Sequence, residues 1–414
     1  MGADTKIRQV CYVLGNPLTE ADDGAIFWND RCFATTVEHI LAGGFDRVAV
    51  VARIRKVVSP PSHGAGLDVE SVVICRLPDY SNNSVRGIIN YINQLRGRVN
   101  SDNLLAILAS SEIIYFDGVL SPLAYAVTKM NRILDKRVVF ELRGETLLDP
   151  YYLKKRFGLF APLLMRLHKL YKEQVFFQAR GGIYVSEHLH KKYPLRIGEV
   201  LIADDSYLPQ PSSCDLKDYP LVARSFIFVG HLEAVKRVDW IIKAFALAKK
   251  GIADNCVLTI VGEGPDRADL ESLVFSLGLL GIVNFVGAVP WGEQLFEHYR
   301  SHDVLVMGSL SEGESRTLRE AMHFGLAVIS TDVGSARAML DSDFITSVDD
   351  QMGFVEIIRQ LMFEVGVLET QGKRNSRIAA ELFNTRNGGQ LRTDFWRRQF
   401  LKTTPPGYHG AVFE

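Results

Sequence analysis

Short apolar runs rich in Val and Ile recur along the chain, separated by stretches whose apolar residues repeat at helical spacing. In the first half, Val10–Leu14, Val48–Ala52, Val72–Cys75, Ile113–Phe116, Val138–Leu142 and Gly182–Val185 read as strands. They are continuous β-branched runs instead of alternating ones, the pattern of parallel strands covered on both faces. Thr35–Leu41 and Leu120–Leu134 supply helices between them. The second half repeats the logic with Phe226–Val229, Val257–Val261, Val283–Val286, Val304–Met307 and Ala327–Ser330. There Val238, Ile241, Ile242 and Phe245 fall at i, i+3, i+4 and i+7, one buried helix face, and Leu318, Ala321, Met322 and Gly325 follow the same rule. Strands alternating with helices predict an α/β protein with parallel, doubly wound sheets.

Between the halves, the Pro/Ser-rich stretch 208–215 lacks periodicity and reads as a linker. A length of 414 residues exceeds one ordinary domain. The expected division is therefore 1–212 and 213–390, two Rossmann-like domains facing a cleft, with 391–414 as a terminal segment.

Composition is globular, and Lys plus Arg (47) nearly equals Asp plus Glu (48), for a net charge of −1. That balance argues against a nucleic-acid partner, which calls for a basic excess. Five scattered cysteines (Cys11, Cys32, Cys75, Cys214, Cys256) form no C-x-x-C pair and no metal-spaced cluster with histidine. They read as free thiols of a reducing cytosol, and no metal site is expected. The polar N-terminus has no signal-peptide core, and no apolar run reaches the ~20 residues of a membrane span. One segment breaks the neutrality: 151–172 carries six Lys/Arg and no acid among large apolar residues. Such a segment can lie on an anionic membrane surface, or simply present a solvated face or meet an anionic substrate. The expected location is cytoplasmic, with peripheral contact at the inner membrane surface in the first case.

Candidate chemistry concentrates in Ser309-Leu310-Ser311-Glu312-Gly313-Glu314-Ser315-Arg316-Thr317-Leu318-Arg319-Glu320-Ala321-Met322, which follows a strand and opens a helix. A strand–loop–helix junction aims unpaired N–H groups and the positive end of the helix dipole at an anion such as phosphate. Gly313 permits close approach of the backbone. Glu320 lies about 200° from Leu318 around the helix, off the apolar face, so a loop carboxylate (Glu312) and a helix carboxylate (Glu320) can reach one hydroxyl-rich ligand. A second junction, Phe228-Val229-Gly230-His231-Leu232-Glu233-Ala234-Val235-Lys236-Arg237, offers cations. Further glycine turns follow at Gly262-Glu263-Gly264, Gly287-Ala288-Val289 and Val333-Gly334-Ser335, each after an expected strand. In a parallel sheet such turns share one edge.

In order and spacing these segments resemble the retaining nucleotide-sugar glycosyltransferases of glycosyltransferase family 4, with the GT-B fold. Glu312 and Glu320 form the Glu-x7-Glu signature, and the motif-dense match covers 225–338. The resemblance implies that Glu320 binds the donor ribose and Glu312 faces the transferred sugar. Gly313, Glu314 and Ser315 would line the sugar and phosphate site, Lys236 would neutralise the leaving diphosphate, and Val289 would border the base. Gly230 and Gly264 would belong to the same donor site. His231 stands where the family usually has Arg, and Arg237, standing where it usually has Gly, could supply the charge that His231 only partly carries. In the first domain the resemblance is one of layout. It points to an acceptor region around Gly24, Arg143 and Glu145, with Arg143-Gly144 in place of a usual His-Gly. It also implies that the terminal segment, with Leu391–Phe400 and Trp396, returns to the first domain.

The leading expectation is a retaining, metal-independent hexosyl-type transferase with no cofactor. It would move sugar from a UDP- or GDP-type donor to a glycan, lipid-linked or small-molecule hydroxyl acceptor, in polysaccharide, lipid-linked glycan or glycoconjugate synthesis. The alternatives are another GT-B enzyme, such as a nucleotide-sugar epimerase or a phosphorylase, and a nucleotide-sugar-binding protein that has lost turnover.

Overall fold

The structure, a computed structural model, describes residues 7–15, 17–22, 26–28, 31–56, 65–66, 71–78, 98–118, 122–143, 158, 161–203, 208–209, 217–250, 256–312, 315–386 and 388–403. The chain forms two compact units. The first draws on Met1–Arg143, Leu153–Asp204 and Gly388–Glu414, and the second on Gly144–Tyr152 and Asp205–Asn387. The breaks thus fall at 204/205 and 387/388, where the hydrophobic pattern put them at 212/213 and 390/391.

The first unit is built on strands β1 (Gln9–Leu14), β2 (Leu18–Glu20), β3 (Ile26–Trp28), β4 (Arg47–Lys56), β5 (Ala65–Gly66), β6 (Val72–Pro78), β7 (Ile113–Asp117), β8 (Arg137–Leu142), β9 (Ala179–Tyr184) and β10 (Glu199–Ile202). They form one sheet in the order β10-β9-β8-β7-β1-β4-β2-β3-β5, with β6 also on β4. All pairs are parallel except β2–β3 and β3–β5. The ten-residue β4 serves three neighbours: Arg47–Val51 pair with β1, Val48–Ile54 with β6, and Ile54–Lys56 with β2. Val10, Tyr12, Val48, Val50, Ile113, Tyr115 and Val139 are all fully buried, which is why these runs read as unbroken apolar sequence. Helices α1 (Arg31–Ala42), α2 (Arg98–Ser110), α3 (Pro122–Leu134), α4 (Ala161–Gln178) and α5 (Glu187–Lys192) lie between the strands.

The C-terminal helix (Gly388–Thr403) packs against α1 of this unit. Trp396 is 1% exposed, with its ring edge-on to Tyr115 at 5.1 Å. The backbone of α1's end comes so close that a Cβ on Gly43 would stand 2.6 Å from the Trp396 Cβ.

The second unit has strands β11 (Ser225–Val229), β12 (Val257–Val261), β13 (Val283–Gly287), β14 (Val304–Met307), β15 (Ala327–Thr331) and β16 (Ile345–Thr346) in one parallel sheet, ordered β13-β12-β11-β14-β15-β16. Helices α6 (Val238–Lys249), α7 (Arg267–Ser276), α8 (Glu293–Arg300), α9 (Arg316–His323), α10 (Ala336–Met339), α11 (Gln351–Phe363) and α12 (Val367–Arg386) complete it. The face expected for α6 is buried, with Ile241, Ile242 and Phe245 at 0% exposure, and it packs on α11. Truncating any one of these to Ala would cost about 2–5 kcal/mol. Among the described residues, Cys11, Cys75 and Cys256 are buried free thiols. No helix among those residues is long and apolar enough to cross a membrane.

Candidate active site

The strand order of the second unit dictates where a ligand can sit. From β11 the chain steps to β12 and β13 on one side, then returns to β14 on the other. The loops after β11 and β14 therefore part company, leaving a crevice outside the carboxyl ends of the two strands. Lys236 lies on the first loop and Glu312 on the second. They meet across the crevice, with Lys236 Nζ 2.6 Å from Glu312 Oε1. Ser309 Oγ donates to the same oxygen at 2.7 Å. The Ser309 carbonyl is held in turn by Thr331 Oγ1 at 2.6 Å, which ties in the end of β15. A backbone bond from Leu310 N to Val235 O (2.9 Å) fixes the spacing of the two loops.

The other side of the crevice is knit by backbone alone. Gly230 N donates to Val261 O, Leu232 N to Glu263 O, and Gly262 N to Gly287 O, at 2.8–3.0 Å. The loops touch so closely that a Cβ on Gly262 would lie 1.8 Å from Gly230 O, and one on Gly264 2.2 Å from Leu232 O. Only glycine fits either position. These glycines keep adjacent loops in contact, which is the structural content of the repeated glycine turns.

Glu320 corrects the helical-wheel expectation. It does not stand off an apolar face; it is 4% exposed, and Leu318, Arg319, Ala321 and Met322 are buried with it. The reason is that α9 is covered on two sides, by β15 and by α12. The carboxylate is accommodated by donors: Tyr299 Oη at 2.7 Å to Oε2, and Trp291 Nε1 at 3.2 Å to Oε1. Burial, and then the Glu320 charge, push the Tyr299 hydroxyl well above its ordinary pKa, so it stays a donor. Ser315 caps the same helix, its Oγ accepting from Leu318 N at 3.3 Å.

Two expected cations behave differently from Lys236. His231 is exposed at the start of its loop. Arg237, expected to supply spare positive charge, donates to Val348 O at 2.6 Å and lies 4.3 Å over the Trp240 ring. Its backbone is left-handed, with φ 52° and ψ 44°, a conformation glycine adopts without strain. Val289 is half-buried against the cluster that holds Leu318 and Met322. Gly313, Glu314, Gly24 and Glu145 lie outside the described residues.

In the first unit the same topological rule puts the switch between β1 and β7. Gly15, just after β1, donates its N–H to Asp117 O at the end of β7, at 3.2 Å. Arg143, just after β8, reaches Glu141 Oε1 at 3.1 Å and Asp117 Oδ1 at 3.5 Å through its Nε. Glu141 is fully buried, and it also takes Arg392 of the C-terminal helix at 2.8 Å and the Tyr115 hydroxyl. Burial raises its carboxyl, but Arg143 and Arg392 outweigh that and hold it far below the usual carboxylate range. Ser309 had a place in the candidate stretch but no role, and sequence reasoning did not single out Thr331, Trp291, Tyr299, Asp117 or Glu141. For Glu141 there was a signal, an acid inside the apolar run Val-Val-Phe-Glu-Leu.

Among the described residues, no group of three or more His, Cys, Asp or Glu side chains is placed to hold a metal ion. Two Rossmann-like sheets with carboxyl-edge loops define a protein of the GT-B class of fold. The fold is shared with a solved structure: sucrose-phosphate synthase from Thermosynechococcus elongatus superposes with a TM-score of 0.69 over 95% of this chain and 100% of its own, at 15% identity. That likeness concerns the fold. In sequence, residues 222–373 match the family model for glycosyl transferases group 1, the segment that holds Lys236, Glu312 and Glu320. Among curated proteins, the GtfA subunit of a UDP-N-acetylglucosamine–peptide N-acetylglucosaminyltransferase from Limosilactobacillus reuteri subsp. suis is 31% identical over 32% of this chain and 23% of its own. A GDP-mannose-dependent alpha-mannosyltransferase from Mycobacterium tuberculosis is 36% identical over 27% of this chain and 26% of its own. The chain thus spans about a quarter of the length of these two relatives.

Proposed function

We propose that the protein is a glycosyltransferase that moves a sugar from a nucleoside diphosphate sugar to a hydroxyl acceptor, with retention at the anomeric carbon and without a metal ion. The observation that carries this reading is the Lys236–Glu312 pair across the switch point, with the buried Glu320 carboxylate on the helix that follows. Departure of a nucleoside diphosphate builds negative charge where Lys236 and the start of α9 stand, and fixed positive charge stabilises that transition state. Glu312, held by Ser309, faces the transferred sugar, and Glu320 takes the ribose. The β-phosphate oxygen removes the acceptor proton as the new bond forms on the face the diphosphate leaves. The donor is UDP- or GDP-linked, as in the two relatives named above, and the acceptor binds the first unit near Arg143.

The test is release of nucleoside diphosphate from a panel of UDP- and GDP-sugars, with product configuration read by NMR. Activity should persist with chelator, fall by at least a hundredfold in Lys236→Ala and Glu312→Ala, and give an axial product from an axial donor. Nucleotide binding with no turnover across the panel points instead to a binding protein, and an inverted product refutes retention.

Peripheral membrane contact is a second part of the proposal, supported by α4. Leu163, Leu170 and Phe177, seven residues apart, are 57%, 47% and 69% exposed, and the exposed Arg166 and Lys169 lie beside them. Apolar side chains flanked by cations suit an anionic lipid surface. Residues 151–157, including Lys154, Lys155 and Arg156, lie outside the described residues. Sedimentation with phosphatidylglycerol vesicles should be reduced by Leu163→Glu with Leu170→Glu; equal sedimentation of both proteins refutes the contact.

A further inference from the structure

Both oxygens of the carboxylate read above as the ribose acceptor are engaged by the protein's own donors. Trp291 Nε1 donates to Glu320 Oε1 at 3.2 Å, while Tyr299 holds Oε2 at 2.7 Å. The two donors differ in kind. Tyr299 is fully buried on α8, stacked on Phe324 with ring centroids 5.8 Å apart, and belongs to the core. Trp291 is only half-buried and sits on the short connection between β13 and α8. That connection is bounded by Gly287 at φ 91° and Gly292 at φ 130°. A Cβ on Gly292 would meet nothing within 4 Å, so glycine is needed there for its conformation and not for space. The half-exposed indole packs on the rim of that core, edge-on to Phe296 at 5.1 Å, so turning it away disturbs the rim and leaves the sheet in place.

We propose that Trp291 is a stand-in ligand: its indole N–H occupies the Glu320 oxygen that a ribose hydroxyl takes, and it swings aside when a nucleoside diphosphate binds. An indole N–H and a sugar hydroxyl present the same donor to a carboxylate, so the exchange keeps Glu320 satisfied in both states. Desolvating an unpaired carboxylate would be costly, and donation from Trp291 and Tyr299 avoids that cost. It also makes affinity a difference between two hydrogen bonds, so the ribose must compete with the protein's own donor. Trp291 is thus a positioning and specificity-setting residue for ligands that carry a vicinal diol. The inference rests on the reading of Glu320 as the ribose-facing carboxylate.

The experiment titrates wild type and Trp291→Phe, which keeps an aromatic ring against Phe296, with UDP, GDP, a 2′,3′-dideoxynucleoside diphosphate and inorganic pyrophosphate. Calorimetry reads affinity and tryptophan emission reads the indole. In wild type, UDP or GDP should shift the emission and pyrophosphate should not; the shift should vanish in Trp291→Phe. The variant should bind the ribonucleotide about tenfold more tightly, a change of about 1.4 kcal/mol, and gain nothing for the dideoxy compound. Binding of UDP or GDP with no emission change and equal or weaker affinity in the variant overturns the stand-in role alone. Failure of both proteins to bind any nucleoside diphosphate overturns the donor-site reading, and the inference with it.

Discussion

Replacing Arg392 by Met should destabilise the first unit more than any surface change, because the guanidinium is one of two that neutralise a carboxylate with no access to water. Glu141 is 0% exposed and Arg392 2%. Arg392 bonds Glu141 Oε1 at 2.8 Å and the Ala203 carbonyl at 3.2 Å, linking the C-terminal helix to β8 and to the end of β10. Removing it leaves Glu141 with Arg143 and the Tyr115 hydroxyl, and leaves the Ala203 carbonyl short of that donor. Breaking a buried pair on one side costs about 3–5 kcal/mol, a large share of the ~5–15 kcal/mol that holds a domain. Replacing both partners by apolar groups of similar size should cost less than the sum of the single changes, with a coupling of about 2 kcal/mol. The pH dependence follows with its sign. Glu141 titrates lower in the folded protein than in the unfolded chain, so its network stabilises above the unfolded carboxyl range and the contribution is lost as pH falls below it. Urea denaturation of wild type, Arg392→Met, Glu141→Met and the double variant at pH 7 and pH 4 measures all of this. Hydrogen exchange over 388–403 shows whether the helix detaches first. A cost below 1 kcal/mol for Arg392→Met, or strict additivity of the singles, refutes the account.

Three further outcomes follow from local geometry. His39 Nδ1 is 3.0 Å from Thr393 Oγ1 and its Nε2 has no hydrogen-bond partner among the described residues; burial, then Arg392, lower its pKa from 6.5 to about 4. It is therefore neutral when folded, and stability should drop as pH falls from about 6.5 to 4, by about 1–2 kcal/mol after allowance for partial exposure, a slope that His39→Gln removes from pH-dependent melting curves. Ser315→Ala, which deletes the cap on Leu318 N, should cost about 1 kcal/mol in denaturant titrations. At position 237 the usual order reverses: Arg237→Gly should be more stable than Arg237→Ala by about 1 kcal/mol in the same titrations, since both lose the Val348 and Trp240 contacts but only glycine relieves the left-handed backbone.

What the sequence made legible, and what it hid, divides along a physical line. Central parallel strands are apolar on both faces, so β1, β4, β7, β8, β11, β12 and β14 announced themselves as unbroken runs. Very short elements carry too few residues to show a period. Leu18-Thr19-Glu20, at β2, and Ile345-Thr346, at β16, look like loop because three and two residues display neither an apolar run nor an alternation. The candidate site split in the same way. Lys236 and Glu312 were readable because each stands in a local strand–loop–helix pattern. The supports were not, since Thr331 reaches the Ser309 carbonyl, and Trp291 and Tyr299 reach Glu320, only when the strand order folds separate segments onto one edge. Glu320 shows why a wheel drawn for one helix can mislead. Periodicity reports which side faces the first layer of the core, and α9 has a second layer, α12, over the side the wheel left polar. A carboxylate placed there must either be paired or be a ligand site. In this protein Tyr299 and Trp291 make it the first, and the half-buried indole on its glycine-bounded loop is what would let it become the second.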